Sequence, residues 1–105
     1  MNIYNVIALP KAEEDLDRIV YHLVNKKHNP YAARNVLNDY SETITKLSYL
    51  ADSQPIPDSA ILRDRKLKRF NFSRHDYFLL FSIEGNTVLI TNIFHAREDY
   101  ENKLR

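Results

Sequence analysis

The run Tyr77-Phe78-Leu79-Leu80-Phe81-Ser82-Ile83, then Glu84-Gly85-Asn86, then Thr87-Val88-Leu89-Ile90-Thr91-Asn92-Ile93-Phe94, decides the fold. The first stretch is almost continuously apolar, as a strand buried on both faces must be. The second is β-branched and returns after a three-residue break. The break holds Gly85, the only glycine of the chain, where a hairpin needs tolerance of positive φ. The spacing predicts two antiparallel strands at the centre of a small sheet. Just upstream, Leu67–Phe72 reads as a basic–aromatic strand.

The N-terminal half has a different period. Ile3–Leu9 reads as a strand ended by Pro10. Ala12, Leu16, Ile19, Val20 and Leu23 then recur at helical spacing. Glu13, Glu14 and Asp15 crowd the first turn of that helix, where the helix dipole favours acids, and Lys26 and Lys27 sit at its far end. Asn29-Pro30 predicts the start of a second helix: Asn suits the N-cap and Pro the first helical position. Its apolar stripe is Ala33, Val36, Leu37, Tyr40, Ile44 and Leu47. Residues 51–62, with Pro55 and Pro57, read as a loop. The polar tail from Arg97 has room for a short helical turn. The expected fold is α+β, in the order β-α-α-β-β-β. A small, antiparallel-rich sheet carries an N-terminal helical hairpin on one face and leaves its other face or end open.

At 105 residues the chain has room for one domain, spanning 1–105, and its 44% hydrophobic content permits a packed core. There is no cysteine, which excludes disulfides and thiolate metal sites. No His or carboxylate cluster has metal-site spacing and no Gly-rich phosphate loop occurs, so neither a metal nor a cofactor is expected. No apolar run reaches the roughly 18–20 residues that span a bilayer, and the N-terminus lacks the pattern of a signal peptide. The expectation is a cytoplasmic chain with no membrane partner.

Net charge is only +1, but it is concentrated. Arg63, Arg65, Lys66, Lys68, Arg69 and Arg74 face Asp64 alone, a local +5 that leaves −4 for the rest of the chain. Such a strip suits an anionic partner; a solvated strand edge carries charge for a different reason, to prevent sheet-to-sheet aggregation. The histidines read otherwise: His22 and His28 as surface residues, and His75-Asp76 as a turn.

Three stretches together resemble the RelE/ParE superfamily of toxins from type II toxin–antitoxin systems, over nearly the whole chain. Pro10-Ala12-Asp15-Leu16-Ile19 is similar to the family's first helix. Lys68-Arg69-Phe70, Asp76–Phe81, Ile90 and Ile93 are similar to its sheet, and His95-Ala96-Arg97-Glu98-Asp99-Tyr100 to its closing signature. The resemblance implies a growth inhibitor neutralised by a cognate antitoxin. It implies one of two activities: metal-independent cleavage of messenger RNA on the ribosome, or non-enzymatic inhibition of DNA gyrase.

The nuclease is the reading favoured at this point. Its chemistry needs a group to accept the 2′-OH proton, cations for the phosphate charge and a donor for the leaving oxygen. By the resemblance, Arg97 would hold the scissile phosphate, and Tyr100 would stack on a base or assist proton transfer. Lys66 or Lys68 would stabilise charge or act as base, with His95 as an alternative proton carrier. Arg63, Arg65, Arg69 and Arg74 would bind RNA. One position departs from the nuclease pattern: Phe78 stands where RelE-like toxins usually carry an Arg. Arg74 or Arg69 would have to take its place. Gyrase inhibition needs only an exposed protein-binding surface, for which the helical hairpin is the expected location.

Overall fold

A computed structural model describes residues 3–105 of the chain. The order is β1 (Asn5–Ala8), α1 (Pro10–Tyr21), α2 (Pro30–Leu50), α3 (Ala60–Asp64), β2 (Lys68–Asn71), β3 (Tyr77–Glu84), β4 (Thr87–His95) and α4 (Tyr100–Lys103). A π-helical turn over His22–Lys26 prolongs α1, and a 3₁₀ turn over Ala51–Ser53 ends α2. The four strands form one mixed sheet in the order β1-β4-β3-β2, with β1 parallel to β4 and the other pairs antiparallel. The α+β fold and the central β3–β4 hairpin agree with the sequence reading. Gly85 does have positive φ, +58°. Asn29 caps α2 as expected, its side chain accepting from the Ala32 N–H at 3.0 Å. No helix of the described residues is long and apolar enough to cross a membrane.

Three expectations need correction. First, the proline-containing loop is shorter than 51–62. Ser59 accepts from the Leu62 N–H and starts α3, which carries Arg63 and ends on Arg65. Second, the sheet is not open on its second face. The helical face holds one core, built from Ala12, Val36, Leu47, Leu79, Phe81, Ile90 and others. The opposite face holds a second, in which Leu62, Leu67, Phe78, Leu80, Phe94 and Leu104 pack with Ile61 and Tyr100. The short helices α3 and α4 cover that part of the sheet. Third, Leu37 does not belong to the buried stripe of α2; it is exposed, whereas Asp39 and Thr43 are buried.

Two buried carboxylates fasten the helices to the sheet. β1 pairs with β4 only as far as Ile90. Beyond that point the edge of β4 is free of β1, and the Asp15 carboxylate accepts the Ile93 N–H at 2.9 Å. Asp15 is fully buried and is flanked on α1 by Lys11 and Arg18, so it is an ion-paired staple and not merely a dipole-stabilising acid. Asp39 of α2 does the same for the β2–β3 turn. It accepts from the N–H groups of Ser73 and Arg74, at 3.0 and 2.9 Å, and from His75 Nδ1 at 2.7 Å. Burial pushes the Asp39 carboxyl up, but the His75, Arg74 and Ser73 donors together hold it below the ordinary carboxylate range.

Candidate functional site

β2 alternates, so its neighbouring cations point to opposite sides of the sheet. Lys68 and Phe70 pair with Phe81 and Leu79 on the helical side, and Lys68 Nζ donates to the Gln54 carbonyl at 2.8 Å. Arg69 and Asn71 face the other side. The Arg69 guanidinium lies 3.7 Å from the centroid of the Phe78 ring, a cation–π contact. Its Nε donates to Asn71 Oδ1 at 3.0 Å. Phe72 N–H donates inward to the Tyr77 carbonyl, so by alternation the backbone groups of Arg69 and Asn71 point away from β3. They border a cleft of about 630 Å³ between this edge, the Gln54–Ser59 loop and Tyr100.

Tyr100 lines that cleft from the second core. Its ring is set edge-on to Phe78, with centroids 5.4 Å apart, and lies 6.1 Å from Phe94. It closes the second core, and Glu101 beside it is bonded to Ser59 at the start of α3. Phe78 itself is fully buried. The position where the nuclease resemblance expects a phosphate-binding cation is therefore a packed ring with Arg69 lying over it.

The remaining candidates are dispersed. Lys66 adopts φ +58° at the end of α3. Lys66 N–H donates to Arg63 and Leu67 N–H to Leu62, the two bonds of a Schellman cap, with Leu62 and Leu67 both in the second core. Lys66 occupies the left-handed position where glycine is usual. Arg63 donates to the carbonyls of Pro57 and Asp58 and so braces the loop. Arg65 is exposed, and Arg74 is drawn to Glu42 of α2 at 3.5 Å.

His95 and Arg97 lie elsewhere again. His95 stands opposite Tyr77, with rings edge-on at 5.1 Å, and lines a hollow with Arg18, Ile19, His22 and Glu98 beside α1. His95 Nδ1 accepts from the Arg97 N–H at 3.1 Å, which requires that nitrogen to be unprotonated. Burial, reinforced by the Glu98 charge, pushes the Tyr77 hydroxyl up. Burial opposes the charge on Glu98, but Lys103, the His95 N–H and Arg18 outweigh it and hold its carboxyl low. Arg97 is exposed in the turn after β4.

The sheet thus brings Arg69, Asn71 and Tyr100 to one cleft. It puts Lys68 and His95 on the opposite side, and sets Arg69 and Arg74 around a second hollow lined also by Ala96, the neighbour of Arg97. Among the described residues no group of His and acidic side chains could hold a metal ion. Sequence reasoning missed Asp39 and its bond to His75. The available signal was an acid set inside an apolar stripe, between Val36 and Thr43 on the buried side of α2.

Comparison with known proteins gives a consistent assignment. A solved structure described as the chromosomal ParDE TA system from P. aeruginosa matches with a TM-score of 0.74 at 21% identity, covering 90% of this chain and 98% of that one. That match establishes a shared fold. No curated protein sequence matches the chain. The family model for the ParE toxin of the type II toxin–antitoxin system parDE matches residues 6–100. Matched over nearly its whole length, the chain belongs to the ParE toxin family.

Proposed function

We propose that this chain is a type II toxin that arrests growth as a binding protein, by occupying DNA gyrase, and is kept silent by a cognate antitoxin. The observation that carries this reading is the dispersal of the candidate catalytic groups. Cleavage through the 2′-OH needs a proton acceptor, a charge stabiliser and a proton donor within hydrogen-bond reach of one phosphate. Lys68 and His95 are separated by the sheet from Arg69 and Tyr100, and Phe78 fills the missing cation's place. A binding mechanism makes no such demand. Membership of the ParE family favours it too.

The helical hairpin offers the surface. Around its connecting turn Tyr21 is 60% exposed and Tyr31 75%, with Val24 also uncovered. Exposed tyrosines with an apolar neighbour match the composition of protein interfaces. The basic β2 edge remains for an acidic antitoxin segment.

One observation favours messenger cleavage as a second reading: Arg69, Asn71 and Tyr100 do share a cleft. Adding the purified chain to gyrase with supercoilable DNA, and separately to translating ribosomes, decides between them. Loss of supercoiling or gyrase-linked DNA breaks, with intact messenger, is the expected result. Cut messenger with unaffected gyrase transfers the function to the β2 cleft. Tyr31→Ala should weaken gyrase inhibition by about 30-fold if the ring is an interface anchor worth about 2 kcal/mol.

A further inference from the structure

We propose that the outer edge of β1 is a docking surface for a second copy of this chain, joined antiparallel about a two-fold axis at Ile7. Sheet edges are dangerous because their unpaired backbone groups can capture other strands. The two edges here are treated differently. The β2 edge carries Arg69 and is bordered by Pro55 and Pro57. Among the described residues the β1 edge has no such guard: nothing from Ile3 to Leu9 is charged, and Ile3 and Ile7 are 69% and 43% exposed.

The backbone of β1 is self-complementary in one register. The Asn5 and Leu9 N–H groups donate inward, to the Asn86 and Ile90 carbonyls of β4 and its turn. Alternation therefore points the Val6 and Ala8 peptide groups outward. Setting Ile7 opposite the same residue of a second copy brings Val6 against Ala8 on each side of the axis. That pairing satisfies both outward N–H groups and both outward carbonyls in each chain.

The next outward pair in this register is Tyr4 against Pro10. The Tyr4 N–H is already taken by the Ser48 carbonyl at 2.7 Å, and proline has no N–H to offer. The ladder therefore stops at both ends without stranding a donor. Ile7 meets Ile7 at the close, non-hydrogen-bonded position, where Cα atoms approach to about 4.5 Å. The absence of charge removes the like-charge repulsion that a two-fold contact otherwise creates. The contact is smaller than the roughly 1,600 Å² of a standard interface, so the dimer should form reversibly and depend on concentration.

The full chain is tested by sedimentation across concentration. The apparent mass should climb from 12.4 kDa toward twice that value by about 0.5 mM, following mass action. Ile7→Lys should hold it at the monomer mass, and an equimolar mixture of Ile7→Lys with Ile7→Glu should restore dimerisation. Because the chain has no cysteine, the register can be read by cross-linking. Ile7→Cys should oxidise to a covalent dimer. Asn5→Cys should not, since two such residues lie about 13 Å apart along the paired strands, beyond the roughly 7 Å limit of a disulfide. A wild-type chain that stays monomeric overturns the proposal, as does a dimer indifferent to Ile7→Lys or cross-linking equally at both positions. A monomer whose Ile7→Lys variant loses the antitoxin also overturns it, and assigns this edge to the antitoxin.

Discussion

Replacing Asp39 with alanine removes a single carboxylate and leaves three donors without their acceptor: the N–H groups of Ser73 and Arg74 and His75 Nδ1. A hydrogen bond to a charged group contributes roughly 1.5–3 kcal/mol, so the gross loss is about 4–9 kcal/mol. Ser73 and Arg74 are exposed turn residues, and water will recover part of that. A net cost of about 3–4 kcal/mol follows for Asp39→Ala, since the cost of a missing acceptor falls when solvent replaces it. At roughly 4–8 °C per kcal/mol for a domain of this size, the melting temperature should drop by about 12–32 °C. Urea denaturation followed by circular dichroism measures it directly, and a cycle with His75→Ala isolates the side-chain pair. The pH dependence has a definite sign. The folded-state pKa of Asp39 is depressed below the ordinary carboxylate value, so the unfolded chain binds its proton more tightly. The stabilisation is complete above the unfolded value and is lost as pH falls through the depressed one. Asp39→Asn should remove that part of the acid destabilisation. A loss under about 1 kcal/mol for Asp39→Ala, against the range expected for charged hydrogen bonds, would falsify the role of Asp39 in fastening the β2–β3 turn to α2.

Asp15→Ala should cost about 2–3 kcal/mol, because it strands the buried Ile93 N–H; hydrogen exchange at Ile93 should accelerate well beyond that at Ile90. Phe78→Ala should cost about 3–5 kcal/mol as a large-to-small core change. Phe78→Arg should destabilise at least as much without creating RNA cleavage, and cleavage by a folded Phe78→Arg chain would contradict the gyrase reading. Arg69→Glu should weaken the antitoxin complex more than Lys68→Glu, since Arg69 borders the cleft while Lys68 is bound to the Gln54 carbonyl. Titrations at two salt concentrations check this: the difference should shrink at high salt, where surface charges are screened.

What the sequence revealed depended on whether the signal was local. The β3–β4 hairpin and the start of α2 rest on neighbouring residues, Glu84-Gly85-Asn86 and Asn29-Pro30, and both are found as read. The second core was not legible, because Leu62, Phe78 and Leu104 come from three distant segments and none forms a periodic stripe. Asp15 and Asp39 were hidden for a related reason. Hydrophobic periodicity scores an acid as a solvent-facing residue, while their partners are backbone N–H groups far away in sequence. The candidate site suffered most from treating the basic strip as a unit. Lys68 and Arg69 are adjacent, and strand alternation alone separates them to opposite faces. Lys66 carries a left-handed cap that no glycine advertises.

The strand order has a consequence for how the chain acquires its shape. The earliest strand, β1, finds its neighbour only in the latest, β4: Asn5 pairs with Thr87 and Ala8 with Ile90. During synthesis β1 must wait, unpaired and uncharged, while three helices and two further strands are made. Contacts so distant in sequence demand loop closure before they return any stabilisation, and they slow folding. The helical hairpin can form from local contacts in that interval, but the sheet beneath it cannot. A chain interrupted before β4 would therefore expose the apolar undersides of α1 and α2 and an orphan strand, a state suited to aggregation or degradation. Completion of the sheet therefore waits on the strand that is synthesised last.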